Sequence, residues 1–282
     1  MVLKTDIVRN QSSMSRKLLS QYHPFLYFLS VSEKQFRRRM KWWFSKNQFT
    51  HEKRASKLPF RVKKHQSKLI RKLGDSDMIL QYNKIENLKI AIEQINGTII
   101  YPGETFSFCK TVGRPTKSKG YKFGMELSRG EVRPGIGGGL CQISNLLHWL
   151  ALHSPLTITE RHHHSFDPFP DNGRVLPFAS GATVFYNYRD FQIKNNTEHV
   201  FQINLWLTDK CLEGEIRITE ELKYAYHVEE REHRFEKKSD TFYRTNEIWR
   251  RKIDKFRGGK LIEEEFIVRN YAKVKYVPKG FD

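Results

Sequence analysis

The sequence predicts an α+β fold: a helical N-terminal region, then a mixed, largely antiparallel β-sheet domain with one helix set behind a glycine turn. Three observations lead there. An apolar periodicity of helical type runs through a basic N-terminal segment, the second half alternates apolar and polar residues with period two, and three successive glycines precede an amphipathic run.

The charge is uneven. The chain carries a net +19. Residues 1–74 hold 19 Lys and Arg against three acids, Asp6, Glu33 and Glu52, leaving only +3 for the rest. In this segment Ser32-Glu33-Lys34-Gln35 reads as a capping box. Phe36, Met40, Trp43 and Phe44 then share a face opposite Arg37, Arg38 and Lys41. Such a helix suits either its own domain or an anionic membrane surface. The cations, including Lys63, Lys64, Lys68, Arg71 and Lys72, would permit nucleic-acid contact, but no base-reading motif accompanies them, so nucleic acid is disfavoured as a partner.

A second helix is expected from Asn83, with Ile85, Leu88, Ile92 and Ile95 on one face and Gly97 ending it. Thr98 to Tyr101 reads as a strand stopped by Pro102-Gly103. From Phe185 the period is two: Phe201, Ile203, Leu205 and Leu207, then Ile216 and Ile218, then Tyr224, Tyr226 and Val228, with Gly258-Gly259 marking a hairpin. The expected divisions are a basic region 1–75, a core domain 76–210 and a β-rich extension 211–282.

The central constellation is Gly135-Ile136-Gly137-Gly138-Gly139-Leu140-Cys141-Gln142-Ile143-Ser144. Glycines in series serve torsions or approaches that a Cβ would block. Ile143, Leu146, Leu147, Leu150 and Ala151 then make a helical face that Ser154-Pro155 ends, and Ile143, Leu147 and Leu150 should pack on the sheet. Cys141 at the start of that helix would be expected to have a lowered thiol pKa and to be a candidate nucleophile. Glu160-Arg161-His162-His163-His164-Ser165 supplies imidazoles. If the stretch is extended, His162 and His164 share a face, and Asp167 or Asp171 could orient one of them. Structural hydrogen bonding by the histidines is the plainer alternative. No fourth ligand at a familiar spacing joins Cys141, His162 and His164, so neither metal nor cofactor is expected. Three cysteines without a CxxC motif indicate a reducing compartment. No run approaches the roughly 20 apolar residues that span a bilayer. Phe25 to Leu29 is too short and aromatic for a signal core. The expectation is a cytoplasmic protein, or one peripheral at the inner face of the membrane.

Five blocks together resemble the VanW family. Tyr101-Pro102-Gly103-Glu104-Thr105-Phe106-Ser107-Phe108 is similar to its PGETFSF opening, and Val112-Gly113-Arg114-Pro115-Thr116 with Gly120-Tyr121 to its next positions. Gly137 to Ser144 resembles its GGGxCQxS signature, Glu160 to Ser165 its ERHxHS block, and Lys194-Asn195-Asn196-Thr197 its closing KNNT. The resemblance implies a link to glycopeptide resistance and the cell envelope, and a mixed α and β fold, without a settled reaction. Two activities suit the marked positions. One is a Cys/His hydrolase or acyltransferase on peptidoglycan or its precursors, with Cys141 as nucleophile, His164 or His162 as base, and Gly137, Gly138, Gly139, Gln142, Ser144, Glu104 and Arg114 binding substrate. The other is a module that binds a peptidoglycan precursor or fragment at the glycine turn without catalysis. The first is preferred narrowly. An interaction protein held at an anionic membrane surface by residues 1–74 is compatible with either.

Overall fold

The computed structural model describes residues 24–46, 48–70, 77–128, 131–163, 166–167, 170 and 175–281. The chain divides into two compact units, residues 1–44 and 45–282. In the first, the described residues form a single helix, α1 (Pro24–Trp43). It starts at Pro24, eight residues before the Ser32 expected to open it; Pro24 has no amide hydrogen to leave unpaired in a first turn. Ser32 and Gln35, the ends of the expected capping box, therefore lie inside the helix, where Glu33 pairs with Arg37 one turn on.

The second unit is α+β. In order it holds β1 (Phe60–Lys68), α2 (Met78–Ile95), β2 (Thr98–Ile100), β3 (Thr105–Ser107), α3 (Phe108–Val112), β4 (Phe123–Ser128), β5 (Glu131–Ile136), α4 (Cys141–Leu152), β6 (Thr157–Glu160), β7 (Phe166–Asp167), β8 (Gln192–Lys194), β9 (Phe201–Leu207), β10 (Cys211–Ile218), β11 (Tyr224–Lys238), β12 (Thr241–Asp254) and β13 (Lys260–Val274). The strands form sheets in the orders β1-β10-β9-β2, β11-β12-β13-β7, β3-β8-β6 and β4-β5. Pairing is antiparallel throughout except for β7 against β13.

β1 lies within the stretch read as helical from sequence. Its cations conceal the alternation: Lys64, Gln66 and Lys68 are exposed while His65 and Ser67 are half-buried, and the strand pairs antiparallel with β10. The second helix also begins earlier than Asn83. Asp77 caps it, its carboxylate accepting from the Ile79 amide at 3.0 Å. Gly97 follows at φ +82°, where a Cβ would lie 2.5 Å from the Arg54 carbonyl oxygen.

The core sits between α4, α2 and the sheet led by β9. Leu88, Ala91 and Ile95 of α2 are fully buried, as are Phe201, Ile203 and Leu205 of β9. Helix α4 packs against β1 and β10 with Ile143, Leu147 and Leu150 fully buried. Gly214 in β10 makes room for that packing, since a Cβ there would meet Leu205 Cδ2 at 2.6 Å and Leu146 Cδ2 at 3.0 Å. The expected hairpin at Gly258-Gly259 joins β12 and β13, with both glycines at positive φ.

His153 closes the C-terminus of α4, its Nδ1 bonded to the Trp149 carbonyl at 2.9 Å and its ring 4.6 Å from the indole. Burial drives its pKa down to about 4. The folded state therefore binds fewer protons than the unfolded chain between about pH 4 and 6.5, and stability is lost as pH falls through that window. The loss should approach 3 kcal/mol, on the order expected for such a displacement. Urea unfolding from pH 7 to 4 should show His153→Gln, which cannot charge, losing correspondingly less; identical slopes would refute this.

Candidate functional site

The glycine turn is held from below by one side chain. Asn87 of α2 is fully buried; its Nδ2 donates to the carbonyls of Lys122 (3.1 Å) and Gly138 (3.0 Å), and its Oδ1 accepts from the Lys122 amide at 2.8 Å. The glycines are required by what approaches them. A Cβ on Gly138 would lie 2.2 Å from the backbone of Gly124 in β4, one on Gly137 2.6 Å from Pro115, and one on Gly139 2.2 Å from Lys84. Gly137 and Gly139 also take positive φ, 76° and 94°. The turn is thus a packed corner between α2, β4 and α4.

Directly behind it Cys141 opens α4, with Leu140 as a cap that offers no side-chain acceptor. The amides of Gln142 and Ile143 bond back to Gly139 and Leu140 at 3.0 Å. Those of Gly139 and Leu140 find no acceptor among the described residues, and that of Cys141 faces its own thiol. The Cys141 thiol points to the Val184 carbonyl, 3.8 Å away. Burial pushes this thiol up, with the Glu126 carboxylate adding to the rise. That is opposite to the lowering expected for a helix N-terminus, because desolvation of the thiolate outweighs the amides.

The other marked positions separate into staples and cavity wall. Gln142 joins α4 to the end of β1, its Nε2 donating to Ser67 Oγ at 2.8 Å and the Lys68 carbonyl at 2.9 Å. Ser144 is fully buried and donates to the Ala182 carbonyl at 2.6 Å. Glu104 is buried away from the glycine turn, where its carboxylate accepts from the Tyr101 amide at 3.0 Å. Around it Asn195 closes the same corner, exchanging backbone bonds with Gly103 and Glu104 and donating to the carbonyls of Ile100 and His199. The first and last sequence blocks therefore form one structural joint. His162 pairs with Glu160 at 3.0 Å, and His164, with Ser165 and Asp171, lies outside the described residues. Asp167 orients no imidazole that is described: it is buried against Arg244 of β12, Oδ2 to Nη1 at 3.2 Å, and accepts from the Tyr276 hydroxyl at 3.2 Å.

Several residues that the sequence did not single out fix the loop 177–185 in place. Asn145 Oδ1 accepts from the Ala182 amide at 2.7 Å, and His148 Nδ1 bonds to the Ser180 carbonyl at 2.6 Å. Arg161 donates from Nε to the Gly181 carbonyl at 2.9 Å and also to that of Ala179. Burial holds Arg161 down to about 10 and keeps His148 well below the usual imidazole value. A signal existed: Cys141, Ser144, Asn145 and His148 recur at i, i+3, i+4 and i+7, a polar stripe on a helix that is otherwise apolar except for Gln142.

Between the glycine turn, this loop and the β4–β5 hairpin lies a cavity of about 610 Å³, a size that accepts a small-molecule or peptide ligand. Cys141, the three glycines, Gln142 and Arg114 line it, and so does His163, whereas His162, Ser144 and Glu104 do not. Apolar side chains such as Phe108, Met125, Leu127, Ile136 and Phe178 make much of the wall. Among the described lining residues the two acids are each matched by an arginine, Glu126 to Arg133 at 2.7 Å and Asp167 to Arg244. Arg114 and Lys68 are exposed in the wall and meet no acceptor among the described residues, so the described lining carries a positive balance. No cluster of three His, Cys, Asp or Glu side chains among the described residues is placed to hold a metal ion.

The family model described as VanW like protein matches residues 83–217, which include the glycine turn, α4 and loop 177–185. Vancomycin B-type resistance protein VanW of Enterococcus faecalis (strain ATCC 700802 / V583) is 29% identical over 270 residues, 95% of this chain and 98% of the relative. Uncharacterized protein YoaR of Bacillus subtilis (strain 168) is 33% identical over 114 residues, 40% of this chain and 36% of the relative. No solved structure matches the chain.

Proposed function

Because the chain belongs to the VanW family, we propose that it acts in glycopeptide resistance as a binding protein of peptidoglycan metabolism, its cavity holding an anionic, partly apolar cell-wall precursor or fragment. The relative that spans nearly the whole chain is named for vancomycin resistance, which supplies the context. The observation that carries the binding reading is the charge of the described wall: its acids Glu126 and Asp167 are neutralised internally, while Arg114 and Lys68 remain uncommitted beside an apolar lining. A carboxylate or phosphate would meet Arg114, with the free amides at the start of α4 as further donors. The apolar wall would take the aliphatic side chains of a stem peptide.

Isothermal calorimetry with a peptidoglycan stem pentapeptide tests this. Binding should weaken about ten- to a hundredfold in Arg114→Ala, the cost of one charge-assisted hydrogen bond, and should survive Cys141→Ala. A stem pentapeptide that evolves no heat at millimolar concentration, where even a weak carboxylate site would be occupied, contradicts the reading.

One observation favours a second reading: Cys141 and His163 line the same cavity. In that case His163 would take the thiol proton as Sγ attacks an acyl carbonyl. The amides of Gly139 to Cys141 would hold the oxyanion, and the proton would pass to the leaving amine as the thioester forms. Water or an acceptor amine would then release the acyl group. The upward displacement of the thiol opposes it. Resistance or turnover lost in Cys141→Ala, with binding intact, would establish it over the first.

A further inference from the structure

We propose that α1 is a lipid-binding helix that lies in the surface of an anionic phospholipid bilayer with Phe36 and Trp43 inserted. Phe25, Leu29, Phe36 and Trp43 fall on one line of the helix, spaced by 4, 7 and 7 residues. A helix in a globular protein turns such a stripe inward. Here the stripe is the exposed side: Leu29 is 46% exposed, Phe36 61% and Trp43 84%, with Phe28 at 64% beside them. The opposite side, with Tyr27, Val31, Gln35 and Trp42, is the half-buried one.

Charge identifies what covers the stripe. The helix holds Lys34, Arg37, Arg38, Arg39 and Lys41 against one acid, Glu33, which is paired with Arg37. Arg39 flanks the stripe on one side and Arg37 on the other, with Lys41 further round beyond Arg37, an arrangement that keeps cations at headgroup level while aromatic rings sink below it. With five cations the helix cannot cross a bilayer, and no helix among the described residues is long and apolar enough to do so. Nucleic acid would satisfy the cations but leave the aromatic stripe in water. A second copy would place like charges on both sides of the contact.

Flotation of the full chain with phosphatidylcholine vesicles, with and without phosphatidylglycerol, separates these cases. The chain should float only with the anionic vesicles and should be released as salt is raised. Removing three cations, in Arg37→Ser/Arg39→Ser/Lys41→Ser, should weaken partitioning roughly a hundredfold. Removing the apolar anchors, in Phe36→Ser/Trp43→Ser, should weaken it at least about tenfold. Both sets of positions are exposed, so the melting of residues 45–282 should be unchanged in either variant, and stem-peptide binding with it. No flotation at low ionic strength overturns the proposal. Flotation indifferent to Phe36→Ser/Trp43→Ser overturns it too, as does tight RNA binding without flotation, which would assign the helix to nucleic acid.

Discussion

Gly138→Val should collapse the candidate site and lower the stability of the unit by at least about 3 kcal/mol, toward the upper end of what overpacking costs. The reason is that nothing nearby can yield. A Cβ at position 138 would stand 2.2 Å from the carbonyl carbon and oxygen of Gly124 and 2.8 Å from its Cα, all backbone atoms of a paired strand. The clash is reciprocal, because a Cβ on Gly124 would lie 2.3 Å from the Gly138 oxygen. Moving the turn aside breaks the bond from Asn87 Nδ2 to that same oxygen, leaving one N–H of a buried amide unsatisfied while the bonds to Lys122 remain. Thermal melting should therefore fall by roughly 10 °C for a unit of this size. Gly258→Ala is the control: it also has positive φ but open space around it, and it should cost only about 1 kcal/mol. A Gly138→Val protein that melts with the parent would show that the turn is pliant.

Arg244→Met should be similarly severe, costing about 3–5 kcal/mol, because it strands the Asp167 carboxylate. The two side chains are 3% and 5% exposed. The guanidinium also stacks on Phe178 at 4.6 Å and Phe235 at 5.1 Å and donates Nε to His233 at 2.8 Å. Met can replace part of the stacking volume but none of the charge. Asp167→Asn combined with Arg244→Met should recover a substantial part of the loss in urea unfolding, since no charge is then left unpaired. If the double variant is no better than Arg244→Met, the packing of the guanidinium matters and the charge does not. Asp167 and Phe178 also line the cavity, so the single variant should weaken ligand binding along with stability.

The period-two runs made β9 to β13 legible, and the glycine run with its amphipathic sequel made α4 legible. The strand β1 was hidden because its alternation is written in lysines and polar residues rather than in apolar ones. The site was legible as a set of positions but not as a set of roles. Gln142, Ser144 and Glu104 carry polar groups that look ready for a ligand, yet each is consumed by the backbone: Gln142 and Ser144 by the distant carbonyls of Lys68 and Ala182, and Glu104 by the nearby Tyr101 amide. Sequence spacing cannot disclose the first two of those partners. Nor could it place His163 on the cavity in preference to His162, because the chain leaves β6 at Glu160 and strict alternation no longer applies.

The most direct test of a ligand cavity walled by an unactivated thiol is the pH dependence of Cys141 alkylation by iodoacetamide, followed with and without the stem pentapeptide and with Cys211 as internal control. The expected result is slow modification that rises only above the ordinary thiol value of about 8.5 and that the peptide suppresses at Cys141 while leaving Cys211 unchanged. Rapid modification at neutral pH that disappears in His163→Ala would contradict it and establish a thiolate–imidazole pair.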